Sequence, residues 1–116
     1  TVARRERKLR RERAVEIRVV RNAGPELDRA VADFVSVYNS SWKQPEPFPA
    51  FIPSLAAAAA RAGVLRLGVL RVDDQPAAAQ LWITTARRAV IYKLAYDERF
   101  KEFSVGSILS AELFRV

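Results

Sequence analysis

The chain has 116 residues, half of them hydrophobic, which is the content of one small domain with a core of its own. It contains no cysteine and no histidine. That excludes disulfides, zinc–thiolate sites, thiol nucleophiles, a Ser-His-Asp arrangement and the usual imidazole base or metal ligand. Catalysis would fall to carboxylates, Tyr, Lys, hydroxyls, backbone amides or water, and no metal is expected. The net charge of +7 is uneven: Arg4, Arg5, Arg7, Lys8, Arg10, Arg11 and Arg13 oppose only Glu6 and Glu12, so the basic character belongs to an N-terminal arm.

Residues 3–13 are helix formers with Leu9 as the one sizeable apolar side chain, a helix polar all round and weak by itself. Residues 15–20 begin with the alternation of a half-buried strand. Asn22-Ala23-Gly24-Pro25 breaks the chain, with Pro25 suited to a first helical position. Leu27, Ala30, Val31, Phe34 and Tyr38 then mark one face of an amphipathic helix that ends near Asn39-Ser40-Ser41. Pro45, Pro47 and Pro49 make the next stretch an extended, rigid connector. A second helix is predicted over about 50–62, stopped by Gly63, and its alanines at 56–60 permit close approach to a neighbour.

Residues 64–72, 77–85 and 89–95 read as three strands, joined by Asp73-Asp74-Gln75-Pro76 and Ala86-Arg87-Arg88. Connections this short imply an antiparallel meander. A loop then runs to Ser104, and a last helix starts near Gly106 with Ile108, Leu109, Leu113 and Val116 as its apolar positions. The class is α+β, a mostly antiparallel sheet with flanking helices. No apolar stretch approaches the ~20 residues of a membrane span, and nothing reads as a signal peptide, so a cytoplasmic location is expected.

One constellation carries chemistry. A strand ending in Ala95-Tyr96-Asp97 leads through a loop to Ser104-Val105-Gly106-Ser107 at a helix start. The first helical amides lack internal partners and the dipole there favours anions, so a Gly at the entrance and a hydroxyl from Ser107 make a pyrophosphate cradle. The same four residues also describe an ordinary N-cap.

Tyr38-x-x-Ser41-Trp42-Lys43-x-Pro45-Glu46-Pro47, Leu65-Arg66-Leu67-Gly68-x-Leu70, Ala78-Ala79-Gln80-Leu81 and Tyr92-Lys93-Leu94-Ala95-Tyr96-Asp97-Glu98 followed by Ser-x-Gly resemble, in order and spacing, the GNAT-type domain of acetyltransferases linked to bacterial cellulose and exopolysaccharide synthesis. That family is related to the peptidyltransferases that attach amino acids to cell-wall precursors. The resemblance covers about residues 15–116, leaving 1–14 as a basic arm or linker helix. It implies a GNAT fold that uses acetyl-CoA or another acyl-CoA as cosubstrate and an amine as acceptor. Residues 90–95, with Leu94 and Ala95, would line the pantetheine arm. Phe103, Ser104, Val105, Gly106 and Ser107 would hold the pyrophosphate.

Two departures stand out. Val105 replaces the proline usual in Ser-Pro-Gly, which leaves the loop less rigid. The chain also ends in the helix after the loop, so it is expected to stop before the strand that opens the acyl-CoA cleft. Strand 89–95 would then be an unpaired apolar edge that invites a homodimer or aggregation.

Several side chains have two readings. Asp97 is either a general base for the amine or part of turn chemistry, and Glu98 is a base or a partner of Arg99 or Lys101. Tyr96 either protonates the departing thiolate or sits as an amphipathic edge residue. Lys93 either meets a substrate or lies on a surface face. Gln80 is a candidate for bonding a substrate backbone, whereas Trp82 reads as core. Trp42 either walls the acceptor site or anchors the connector. Gly68 within a strand signals a bulge or a close backbone approach. Three functions remain open: an N-acyltransferase, a non-catalytic half-domain of the same fold, and a basic nucleic-acid binder.

Overall fold

Strand alternation sorts the side chains into two buried layers, one on each face of a sheet. In the computed structural model, which describes residues 2–40, 51–84, 89–96 and 105–115, the order is α1 (Val2–Glu12), β1 (Val15–Val20), α2 (Pro25–Ser40), α3 (Phe51–Arg61), β2 (Leu65–Val72), β3 (Gln75–Thr84), β4 (Ala89–Tyr96) and α4 (Val105–Arg115). The four strands pair antiparallel in the order β1-β2-β3-β4. Leu65, Leu67, Val69, Ala79 and Leu81 face α2 and α3. Leu70, Val72, Ala78 and Trp82 face α4 and α1. Each fully buried Leu contributes roughly 1.5–3 kcal/mol of transfer free energy, so both faces hold helices firmly.

The helices begin and end where local chemistry requires. Pro25 opens α2, and Glu26 and Asp28 stand in its first turn, where the macrodipole favours them. Leu27, Ala30 and Phe34 are buried as their spacing predicts, and Val37 joins them. Val31 and Tyr38 are partly covered, and Tyr38 stacks on Phe34 with ring centroids 6.2 Å apart. The end of α3 is a Schellman motif: Val64 N–H donates to Ala59 O and Gly63 N–H to Ala60 O, with Gly63 at φ 74°.

The β2–β3 turn closes in two residues, where the sequence suggested four. Asp73 and Asp74 both take positive φ, 51° and 65°, the backbone of a type I′ hairpin. Gln75 and Pro76 therefore belong to the ladder, opposite Val72 and Arg71, and a bulge between Leu70 and Arg71 absorbs the proline. Asp73 also staples this turn to the α1–β1 junction. Its carboxylate accepts from Arg13 Nε and from the Ala14 N–H, while its own N–H donates to Ala14 O. The Arg13 hydrogen bond first, and the Ala14 N–H second, hold the Asp73 carboxyl below the ordinary value of 3.8.

The N-terminal helix has a tertiary partner. Leu9, its one large apolar residue, is wholly buried against α4 in the same cluster as Ile108, Leu109 and Leu113. That contact supplies what the helix lacks on its own. The last apolar position expected on α4, Val116, lies outside the described residues, as do the proline connector, Ala86-Arg87-Arg88 and Glu98.

Gly68 is a close approach. A Cβ there would stand 2.9 Å from Leu113 Cδ1 and 3.1 Å from Leu109 Cδ1. Gly68→Ala is therefore expected to push α4 off the sheet and lower stability by about 1–3 kcal/mol in urea unfolding. Asp73→Asn tests the staple. A depressed carboxyl contributes stability that is complete above its unfolded pKa and disappears as pH falls through the folded pKa. The wild-type advantage over Asp73→Asn should thus be present at about pH 7 and shrink at about pH 3.

Candidate active site

The start of α4 is held by a hydrogen-bond chain that crosses from β3. Trp82 Nε1 donates to Gln80 Oε1 at 2.8 Å, and Gln80 Nε2 donates to Gly106 O at 3.0 Å and to Ser110 Oγ at 2.7 Å. Indole N–H is only a donor, so it fixes which end of the Gln80 amide faces it and turns the NH2 toward the helix. Gln80 is 2% exposed and Trp82 fully buried. Such a network is rigid because any broken link leaves a polar group without water.

For Gln80, a candidate for bonding a substrate backbone, the structure shows an amide bonded to the first turns of α4, which it positions. Trp82 is core, as its reading had it, with its N–H serving the same chain. Ser110 was not anticipated. Its only signal in the sequence was a small polar residue at i+4 from Gly106 on a helix face of Ile108, Leu109 and Leu113.

The other candidates divide by position. Val105 opens α4 with its side chain buried beside Leu9 and Ile108. In place of a proline's rigid ring, this chain has an apolar anchor. Gly106 is half-buried, and among the described residues a Cβ there would meet no atom within 4 Å; Ser107 is exposed. Lys93, Leu94, Ala95 and Tyr96 lie on β4, whose backbone pairs them with Leu81, Gln80, Ala79 and Ala78. The strand that ends at the candidate loop therefore runs beside the residue that pins the helix after it. A register shift between Leu81 and Trp82 leaves Tyr92 without an opposite number, a bulge that bends β4 locally. Trp42, Asp97, Phe103 and Ser104 lie outside the described residues.

The far end of α4 is held too. Arg66 Nη1 donates to Leu113 O at 2.9 Å, a cation at the helix C-terminus. On the opposite face a groove of about 270 Å³ runs between α2 and β1. Its charges balance, Arg18, Arg29 and Arg71 against Glu16, Glu26 and Asp33, and it is remote from the α4 start. Among the described residues no carboxylate cluster could hold a metal ion, and no helix is long and apolar enough to cross a membrane.

A family model described as "Acetyltransferase (GNAT) domain" matches residues 1–116. The chain belongs to the GNAT acetyltransferase family. The match takes in the basic helix as well as the sheet. No curated protein matches the sequence. Among solved structures the GNAT domain is similar to the ribosomal-protein-S18-alanine N-acetyltransferase from Escherichia coli, with 13% identity and a TM-score of 0.62. The likeness covers 84% of this chain and 57% of that one, and it concerns the fold.

Gln80→Leu is expected to strand the Trp82 N–H and release the α4 start, costing about 1–3 kcal/mol. Trp82→Phe should cost less in the Gln80→Leu background than in wild type, since its acceptor is already gone. Denaturation of the single and double variants checks both.

Proposed function

We propose that this GNAT domain moves an acyl group from acyl-CoA to an amine acceptor. The observation that carries the reading is the first turn of α4. It is pinned to the sheet through Gln80, and among the described residues a Cβ at Gly106 would meet no atom within 4 Å, in a chain of the acetyltransferase family. A fixed row of helical amides suits a pyrophosphate.

In this reading Phe103, Ser104, Val105, Gly106 and Ser107 hold the phosphates, and Leu94 and Ala95 run beside the pantetheine. The amine attacks the thioester carbonyl, a C–N bond forms, and the C–S bond breaks. Asp97 takes the proton from the amine and Tyr96 gives one to the leaving thiolate. Backbone amides of β4 polarise the carbonyl, and Lys93 and Trp42 meet the acceptor. Holding the amine against the thioester in this way would supply much of the rate through orientation.

For the acceptor, we assign an amine in polysaccharide or cell-envelope synthesis. The supports are the Tyr92–Glu98 run and the Trp42–Pro47 connector, which resemble the exopolysaccharide acetyltransferases. An acyl-CoA donor places the reaction in the cytoplasm.

The test is acetyl-CoA binding by calorimetry on the protein and on Gly106→Asp. The new Cβ meets nothing among the described residues, and an acid in the first helical turn suits the dipole, so the variant should fold. Its carboxylate would repel the pyrophosphate, and binding at least about tenfold weaker is expected, ~1.4 kcal/mol. Equal binding by both proteins would move the phosphates elsewhere. No binding by either would remove the acyltransferase reading.

A further inference from the structure

The outer edge of β1 has the symmetry of a dimer interface. Residues 15–19 read Val-Glu-Ile-Arg-Val, apolar at 15, 17 and 19 and of opposite charge on either side of Ile17. Among the described residues β1 pairs only with β2, so its other side is an open row of N–H and C=O groups.

The hydrogen bonds set which residues face that row. Asp73 N–H donates to Ala14 O, and Ala14 N–H donates to the Asp73 side chain. Ala14 therefore turns its main-chain groups toward β2. The β1–β2 register runs without a shift through Glu16↔Arg71, Arg18↔Val69 and Val20↔Leu67. Alternation then directs the amides of Glu16, Arg18 and Val20 to β2 and those of Val15, Ile17 and Val19 outward.

We infer that a second copy of this chain pairs antiparallel along β1, with the two-fold axis at Ile17. Ile17 then faces Ile17 of the copy, and Val15 faces Val19. These outward-facing pairs exchange about six main-chain hydrogen bonds. Glu16 and Arg18 face Arg18 and Glu16 of the copy at the non-hydrogen-bonded positions, where side chains come closest. Both are about half exposed, at 48%, so their pairing requires little desolvation.

The present contacts of Arg18 are surface pairs, with Glu16 at 3.0 Å and Glu26 at 3.7 Å. Such pairs are weak and readily exchanged. Val15, Ile17 and Val19 are only partly covered against the α4-side core, and the copy would extend that apolar row. An axis at Glu16 or Arg18 would still pair outward-facing amides, but it would set Glu16 against Glu16 or Arg18 against Arg18 of the copy, like charges directly opposite. An axis at Val19 would set Arg18 against Val20 and Ile17 against Arg21. The charge pattern thus selects one register. A single strand pair is a small interface, so association is expected to be weak, roughly micromolar.

Sedimentation over about 1–300 µM (the micromolar range) on wild type, Glu16→Arg, Arg18→Glu and the double swap tests this, with circular dichroism to confirm that each is folded. Wild type should dimerise. Each single reversal sets like charges opposite one another twice and should weaken the dimer at least about tenfold. The double swap should restore it. A wild type monomeric throughout overturns the proposal. So does a dimer that survives either single reversal, which would place association elsewhere, such as the β4 edge. A double swap that folds but stays monomeric overturns it as well.

Discussion

Everything about the candidate site depends on where α4 sits, and one side chain at its start decides that. Gln80 reaches across from β3 to Gly106 and Ser110, and Trp82 fixes its orientation. Gly68 on the neighbouring strand, directly opposite Gln80 in the ladder, removes the Cβ that would keep Leu113 and Leu109 away. Arg66, two residues before it, donates to the Leu113 carbonyl near the helix end. The helix is thus held at its start, middle and end by one face of β2 and β3. A helix N-terminus can hold an anion only if its amides stay in place, and this seat keeps them there.

The other face of the sheet adds one half-buried ion pair to its apolar layer. Arg71 donates to Asp33 on α2 at 2.7 Å and to Asp74 O at 2.6 Å, so one guanidinium ties α2 to the hairpin turn. Both partners of the ion pair are only 17% exposed. At that burial, losing one partner would leave a costly lone charge, whereas the intact pair contributes little net stability. Its value is in register and placement. With the Asp73 staple beyond it, the turn end of the sheet is held by ion pairs, and α4 by the Gln80 amide, the Arg66 guanidinium and packing.

Much of the fold was legible in the chain because period and punctuation are local properties. The amphipathic spacing of Leu27, Ala30 and Phe34, the Pro25 start and the Gly63 stop placed α2 and α3. The short connections implied the meander. Gly68 was read as a bulge or a close approach, and the Leu113 and Leu109 side chains make it a close approach. The resemblance carried by the Tyr92–Glu98 and Ser-x-Gly runs pointed to the GNAT family, to which the family match over residues 1–116 assigns the chain. Gln80 was singled out too, as a candidate for bonding a substrate, while its hold on α4 was not foreseen. Its partners, Gly106 and Ser110, cannot be inferred from the strand it sits on.

The sequence alone determined the kind and order of the elements, the absence of thiol and imidazole chemistry, and the run that marks the family. These follow from residue type and from spacings of a few positions. Tertiary structure decided which helix residue anchors the basic arm, how few residues turn the hairpin, and what pins the candidate phosphate site. The contacts that decide these matters join positions far apart in the chain: Gln80 to Gly106 across 26 residues, Arg66 to Leu113 across 47, and Arg13 to Asp73 across 60. Local pattern carries no information at such separations. Only the assembled sheet and its packed helices bring those partners within a hydrogen bond of each other.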